Sequence, residues 1–263
     1  MNNIEAVIFD WAGTTVDYGC FAPVQVFIEV FRHVGIEPTM EEVRKPMGML
    51  KRDHIKAMLA MERIHQLWLD RYHNEVTETD IDEMYALYET KLLEILENFA
   101  EPKPFVLDAI DQLRQMGIKI GSTTGYNDKM MAIVTKKAAE NGYTPDVWFS
   151  PNAVGNVGRP YPYMIFKNME ALGCTKVQNV MKVGDTISDI KEGKNAGVIS
   201  VGVLEGSSEM ALSQAEYEAL SSNEKEKRLN LVKDRFLEAG ADYVITNMSE
   251  LPELIHAIIS QQD

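Results

Sequence analysis

Beyond Pro102 and Pro104 the chain alternates between short apolar runs and stretches with helical spacing. The spacing predicts helices over residues 106–116, 128–141, 163–172 and 188–196, and strands over 118–123, 147–150, 180–183 and 198–203. Helices that alternate with strands at this spacing are typical of a parallel sheet with helices on both faces. The fold class predicted is therefore α/β.

The first strand of this sheet is predicted at the start of the chain. Residues 4–9 form a short apolar run rich in β-branched side chains, and a polar, small-residue loop follows from Asp10 to Thr15. Such a run is typical of a strand that is buried on both faces. Residues 4–9 therefore belong to the same sheet as the strands beyond residue 102.

Residues 20–100 differ, because helical patterns fill them and few strand signals interrupt. Helices are predicted over 24–34, 41–45, 54–72 and 80–99, the last with Thr79 as its N-cap. The sequence thus predicts an all-helical cap over 20–100, inserted into a core formed by 1–19 and 101–263.

Composition and charge exclude several classes of function. The 263 residues carry a formal net charge of −14, so a nucleic-acid or anionic-membrane partner is not expected. No apolar run is long enough to span a bilayer, and no basic stretch precedes an apolar one at the N-terminus, so we expect a cytoplasmic protein. Cys20 and Cys174 form neither a disulfide framework nor a zinc site, which agrees with a reducing compartment.

Polar residues follow the strands at the sheet edge where ligands bind in open α/β folds. These residues are Asp10, Thr123–Gly125, Gly158–Pro160, Gly184–Thr186 and Asp189. Three aspartates brought together repel one another unless a cation neutralises them, and Mg²⁺ prefers such oxygen ligands. Thr124 and Arg159 suit the oxygens of a phosphoryl or phosphonyl group, and a carboxylate such as Asp10 can attack phosphorus. The pattern predicts phosphoryl transfer through Asp10, although a single Asp after a strand is more often an N-cap or turn residue.

The motifs Asp10–Thr14, Thr124–Gly125, Arg159–Pro160 and Gly184–Asp189, in this order, resemble those of the haloacid dehalogenase superfamily. The resemblance implies a Rossmann-like core, a mobile cap and a nucleophilic first aspartate. One position departs from the phosphatases of that superfamily, which carry a second aspartate two residues after the nucleophile to protonate the leaving alkoxide. Ala12 stands there, so either the protein is degenerate or its leaving group is not an alkoxide.

The predicted cap supplies an alternative chemistry. Lys51 follows a glycine turn at Gly48, and His54 lies three residues on, on the same face of a helix that starts there. A lysine that is shielded from water can form a Schiff base with an aldehyde. An iminium β to phosphorus accepts the electrons of a breaking carbon–phosphorus bond, so the leaving group needs no proton on oxygen.

With the run from Phe9 to Cys20, the Met47–Lys51 segment and Gly158–Pro162, the chain resembles the phosphonatases of this superfamily. The resemblance implies Mg²⁺-dependent hydrolysis of phosphonoacetaldehyde to acetaldehyde and phosphate, in 2-aminoethylphosphonate degradation. It implies homodimers that pair through their caps. The implied nucleophile is Asp10, the Schiff-base residue Lys51 and the proton shuttle His54. The implied Mg²⁺ ligands are Asp10, Asp185 and the Ala12 carbonyl, with Asp189 orienting the metal site from beside them. The implied substrate contacts are Thr124, Gly125, Arg159, Met47, Cys20 and Tyr126.

Three alternatives stay open at this point. A Mg²⁺-dependent phosphatase or phosphomutase of the same fold would hydrolyse or transfer ordinary phosphate esters, which Ala12 disfavours. A non-catalytic phosphate-binding module would bind without turnover. A dehalogenase would need no metal.

Overall fold

A computed structural model describes residues 4–260 and contains one five-stranded parallel sheet, in the order β2-β1-β3-β4-β5. The strands are β1 Ala6–Phe9, β2 Lys119–Ser122, β3 Val180–Gly184, β4 Ile199–Val203 and β5 Tyr243–Ile245. All residues of β1 and β3 are buried, as expected for central strands covered on both faces. The α/β fold class predicted from the sequence is confirmed.

The helices of the core precede or connect the strands, except the last, which follows β5. They are α6 Val106–Gln115, α7 Asp128–Glu140, α8 Tyr163–Leu172, α9 Ile187–Ala196, α10 Gln214–Ala219, α11 Ser222–Glu238 and α12 Leu251–Ser260. The acidic segment between β4 and β5 thus forms α10 and α11, and each begins with a serine capping box. Within residues 4–260 no helix is long and apolar enough to cross a membrane.

Of the α-helices between β1 and β2, the five that precede α6 form the inserted cap. They are α1 Phe21–His33, α2 Met40–Arg44, α3 Lys51–Leu59, α4 Glu62–Tyr72 and α5 Glu78–Ile95. The segments that enter and leave the cap pair with each other: Val16 and Pro102 form an antiparallel bridge, and the Lys103 amide donates to the Thr15 carbonyl at 2.9 Å. The boundaries at 19/20 and 100/101 stay a prediction.

Three sequence-based expectations about secondary structure were wrong. Residues 147–150 form no strand: Phe149 makes one isolated bridge to Thr123, because Pro151 follows and opens a 3₁₀ turn. The expected helix over 54–72 is two helices, separated where Met61 takes an extended conformation (φ −69°, ψ 133°).

The N-cap of α5 is Thr77, not Thr79. The reason is that Asp80, three residues after Thr77, completes a reciprocal capping box with it. The α-helix ends at Ile95, and a 3₁₀ helix follows it from Leu96 to Phe99.

Candidate active site

The carboxylate of Asp10 lies directly after β1 and is 5% exposed. Arg159 Nη2 donates to Asp10 Oδ1 at 2.6 Å, while Thr14 Oγ1 lies 3.5 Å from Asp10 Oδ2. A charge-assisted hydrogen bond of this kind fixes the orientation of a carboxylate. One carboxylate oxygen of Asp10 is therefore held by the arginine, and the other has only a weak contact.

Asp185 and Asp189 follow β3 and bring two more carboxylates to the same sheet edge. One oxygen from each of Asp10, Asp185 and Asp189 lies within 4.8 Å of the others. Thr14 Oγ1 donates to Asp185 Oδ1 at 2.9 Å, and the Ser208 amide donates to Asp185 Oδ2 at 2.7 Å. Burial, and then the charge of Asp10, raise the pKa of Asp185 well above its ordinary value.

Asp189 is occupied by partners within the protein. Its Oδ2 completes the capping box of α9 with Thr186, and its Oδ1 lies 3.1 Å from Arg159 Nη1 and 2.9 Å from Lys182 Nζ. Although burial acts to raise it, Arg159 and Lys182 hold the pKa of Asp189 below its ordinary value. Both oxygens of Asp189 thus already have partners within the protein, and two of these partners are cationic.

The donor set fits a divalent cation. Of four buried carboxylates, three (Asp10, Asp189 and Glu192) share two ion-paired cations, Arg159 and Lys182, and Asp185 has no ion pair within the described part of the chain. The carboxylates thus exceed these two cations by two, and all four are buried. Buried carboxylates in excess are costly unless a cation joins them, and oxygen-rich donor sets suit Mg²⁺.

The loop after β2 offers hydrogen-bond donors to an anionic group. The Tyr126 amide donates to Thr124 Oγ1 at 3.0 Å, which leaves the Thr124 hydroxyl proton free to donate elsewhere. A Cβ added at Gly125 would lie 2.9 Å from the Met49 carbonyl oxygen of the cap. Glycine is therefore required where this core loop meets the cap.

Lys51 is the first residue of α3 in the cap and is 5% exposed. Its Nζ lies 5.2 Å from the centre of the Tyr126 ring and 6.0 Å from that of Phe27. In the hydrogen bonds and ion pairs found for residues 4–260, Nζ has no partner. Burial above all lowers the pKa of Lys51, which favours the neutral amine that attacks a carbonyl.

His54 lies one turn further along α3 and is fully buried. Its Nε2 donates to the Val43 carbonyl oxygen at 2.8 Å, so Nδ1 carries the lone pair. Burial, and then Lys51, hold the pKa of His54 well below its ordinary value, so the ring is neutral, and its buried Nδ1 has no hydrogen-bond partner among the described residues. The ring stacks on Phe27 at 3.8 Å between centroids.

A small cavity of about 20 Å³ brings these groups together, room for about one water molecule. It is lined by Asp10, Ala12, Cys20, Met47, Gly48, Lys51, Thr124, Gly125, Tyr126, Arg159 and Thr186. Burial chiefly raises the pKa of the Cys20 thiol well above its ordinary value, so it stays protonated. Of the residues predicted from the sequence, His54, Asp185 and Asp189 lie behind this lining rather than in it.

Sequence reasoning missed the buried residues beneath the cavity. Glu192 Oε2 accepts from Arg159 Nε at 2.9 Å and from Thr123 Oγ1 at 3.0 Å, and Lys182 Nζ donates to Thr123 Oγ1 at 2.9 Å. The available signal was Lys182, a charged residue in the middle of an otherwise apolar strand. Glu192 was also identifiable, because it lies three residues after Asp189 on the same face of α9.

Comparisons with known proteins show the family to which the chain belongs. Residues 4–197 match the model of a family described as haloacid dehalogenase-like hydrolase. The chain is 52% identical to a phosphonoacetaldehyde hydrolase of Lysinibacillus sphaericus, over 97% of this chain and 95% of that one.

Two further relatives extend the comparison. A bifunctional phosphonoacetaldehyde hydrolase/aminoethylphosphonate transaminase of Clostridioides difficile is 52% identical over 96% of this chain, which spans only 40% of that relative's length. A solved structure of a phosphonoacetaldehyde hydrolase-like protein from Oleispira antarctica superimposes with a TM-score of 0.94 at 38% identity, covering 97% of this chain and 92% of that one.

Proposed function

Since this chain belongs to the haloacid dehalogenase-like hydrolase family, we propose that it hydrolyses the carbon–phosphorus bond of phosphonoacetaldehyde to acetaldehyde and phosphate. The observation that carries the proposal is that Lys51 and Asp10 line the same cavity. A buried amine without an ion pair and a held carboxylate line one cavity, and the residue two positions after the carboxylate is Ala12. A phosphatase of this family would need an acid at that position.

The phosphonyl group is held by core residues in this proposal. The Thr124 hydroxyl, the backbone at Gly125 and the Arg159 guanidinium donate to its oxygens, which aligns phosphorus with the free oxygen of Asp10. Glu192 and Asp189 hold Arg159 from behind, so the guanidinium is oriented before the substrate enters. Met47, Cys20 and Tyr126 surround the two-carbon aldehyde.

The covalent steps use Lys51 and Asp10. The neutral Lys51 amine adds to the aldehyde carbon, and the resulting carbinolamine loses water to form an iminium. His54 moves the protons in these steps. A carboxylate oxygen of Asp10 then attacks phosphorus. The carbon–phosphorus bond breaks, and its electron pair enters the iminium to give an enamine. Protonation of the enamine and addition of water release acetaldehyde and restore Lys51. A second water cleaves the aspartyl-phosphate and restores Asp10.

The site residues fit Mg²⁺, and we assign Asp10, Asp185 and the Ala12 backbone carbonyl as its ligands. When bound, the ion supplies positive charge that offsets the carboxylates and the phosphonyl oxygens. Asp189 keeps Arg159 and Lys182 in place beside these ligands.

Substrate entry requires the cap to move. The cavity has about 20 Å³ of space, too little for phosphonoacetaldehyde, and Lys51 reaches it from the cap while Asp10 reaches it from the core. We therefore expect opening to admit substrate and closing to bring the amine to the aldehyde and exclude water. Pairing of two chains through their caps into a homodimer and a cytoplasmic location stay predictions.

The test of the reaction is acetaldehyde release from phosphonoacetaldehyde with Mg²⁺ present, followed with an alcohol dehydrogenase couple. Mg²⁺-dependent acetaldehyde formation is expected. A folded, Mg²⁺-loaded protein that released none but cleaved ordinary phosphate esters would be a phosphatase instead, and this proposal would be wrong.

The Schiff-base role is tested with Lys51→Arg. We expect a folded protein without turnover, because a guanidinium keeps the charge but does not form the imine. Borohydride added with substrate should link the two-carbon unit to the original protein and not to the variant, as mass spectrometry would show. Substantial residual turnover in the variant would contradict the role.

A further inference from the structure

Arg44, at the end of α2 in the cap, makes a buried contact with the core. Its Nη1 donates to the Ser208 carbonyl oxygen at 3.1 Å and lies 3.4 Å from Ser208 Oγ. The same nitrogen donates at 2.9 Å to the Gly19 carbonyl oxygen, in the segment that enters the cap. The guanidinium lies over the Phe21 ring at 5.0 Å. Arg44 thus joins the cap, its entry segment and a core loop.

The core loop that Arg44 contacts also holds the metal-site carboxylate. Ser208, 1% exposed, directs its amide to Asp185 Oδ2 at 2.7 Å. Arg44 binds the carbonyl of this residue, while the amide binds Asp185. Arg44 therefore contacts the same residue that orients Asp185. Groups that orient metal ligands in this way affect metal affinity by about 10–100-fold when they are removed.

The contact of Arg44 with the core carries an energetic cost that opening of the cap would remove. Arg44 is 8% exposed, and its Nε and Nη2 have no hydrogen-bond partner within residues 4–260. Burial chiefly lowers the pKa of Arg44, which records the cost of enclosing this charge. Opening of the cap would return these nitrogens to water, so the cost of the closed contact offsets part of its gain.

We propose that Arg44 is a positioning residue that couples closure of the cap to the orientation of Asp185 through Ser208. The inference rests on the proposed function for its metal, since Asp185 is there a Mg²⁺ ligand. It adds a route by which the cap, besides delivering Lys51, completes the cation site of the core.

The test compares Arg44→Met and Arg44→Lys with a control, Arg63→Met, which removes an exposed cap ion pair to Glu42. Titration calorimetry with Mg²⁺ alone, without substrate, measures the affinity. We expect about tenfold weaker binding for Arg44→Met, since Arg44 acts one contact beyond Ser208. Arg44→Lys, which can reach one carbonyl, should lose less, and the control should match the original protein.

A second measurement separates positioning from simple stability. Hydrogen exchange at the Ser208 amide should accelerate about tenfold in Arg44→Met, and thermal unfolding should still be cooperative. A variant with a lowered Tm but unchanged Mg²⁺ affinity and unchanged Ser208 exchange would show a structural role only and overturn the proposal. If Arg44→Met does not fold, Arg44→Lys decides by the same two readouts. If the original protein releases no acetaldehyde but Arg44→Met still binds Mg²⁺ more weakly than the original does, the proposed reaction is wrong and the coupling stands.

Discussion

Replacing Lys51 with methionine should make the protein more stable while it abolishes turnover. Lys51 is 5% exposed, and its ammonium group would lie between two aromatic rings without an ion pair or hydrogen bond in the described structure. Met has an unbranched chain of similar length and no charge to desolvate. The substitution therefore removes the free-energy cost of burying the ammonium group and keeps the packing of the side chain.

The size of the effect follows from that burial. A buried polar group without a partner costs about 1–3 kcal/mol, and more when it is charged. For a domain of this size each kcal/mol shifts Tm by about 2–4 °C, so a rise of about 2–12 °C is expected. The proposed Schiff-base role of Lys51 would account for a residue that lowers stability, a trade-off common in active sites.

The gain should also depend on pH in a defined direction. Burial above all holds the pKa of folded Lys51 below its ordinary value of 10.5. The cost of the lysine is therefore complete at low pH, where the amine is protonated in both states. It declines as pH rises through the lowered pKa towards 10.5, because the unfolded state then binds more protons than the folded one. The advantage of Met should shrink accordingly.

The assay is urea unfolding of Lys51→Met and the original protein at neutral and alkaline pH, each with and without Mg²⁺. The matched control is Lys136→Met, an exposed lysine of α7, which should change the free energy of unfolding by less than about 0.5 kcal/mol at either pH. A Lys51→Met variant that is less stable than the original, or whose gain is the same at both pH values, would refute the reasoning. It would mean that the folded protein stabilises the Lys51 ammonium.

Three further outcomes are expected. Ala12→Asp should not raise the rate of acetaldehyde release, because the enamine leaving group needs no acid; a large gain would contradict that leaving group. Because burial and Asp10 hold the pKa of Asp185 well above its ordinary value, calorimetry should show weaker Mg²⁺ binding as the pH is lowered from neutral; equal affinity at every pH would contradict proton competition. Lys182→Met breaks a buried ion pair to Asp189 and should lower the free energy of unfolding in urea by about 3–5 kcal/mol; a neutral result would mean the cluster carries no excess charge.

Local patterns in the sequence were enough for most of the fold. The apolar runs at β1 and β3 and the helical spacing between residues 20 and 100 predicted the sheet and the inserted helices. The strand predicted over residues 147–150 was wrong because an apolar run forms a strand only where it can pair with a neighbouring strand. Pro151 ends that pairing after one bridge. The prediction of Thr79 as N-cap was wrong because the N-cap position depends on a partner three residues later. Asp80 is at that distance from Thr77 and completes the capping box with it.

The candidate site was predictable where chemistry follows a strand end. Asp10, Thr124 and Asp185 lie after β1, β2 and β3, and parallel strands place these ends side by side. Lys182 and Glu192 were missed because their roles depend on depth: each is fully buried, and only the fold shows that they face Arg159 and Asp189. The contact of Arg44 with Ser208 joins residues 164 positions apart, beyond any local pattern.

The pairing of Val16 with Pro102 and of Lys103 with Thr15 has a consequence for how this architecture diversifies. Because the two ends of the cap pair with each other, the chain of the core is interrupted at that pair of segments alone. The length of the cap and the order of its helices therefore have little effect on the fold of the core. The segment that carries Lys51 can thus be exchanged or remodelled while β1, β2 and the proposed nucleophile Asp10 stay in register. A changed insert could then accept a new substrate, provided that it keeps the contact through which Arg44 reaches Ser208 and the proposed cation site.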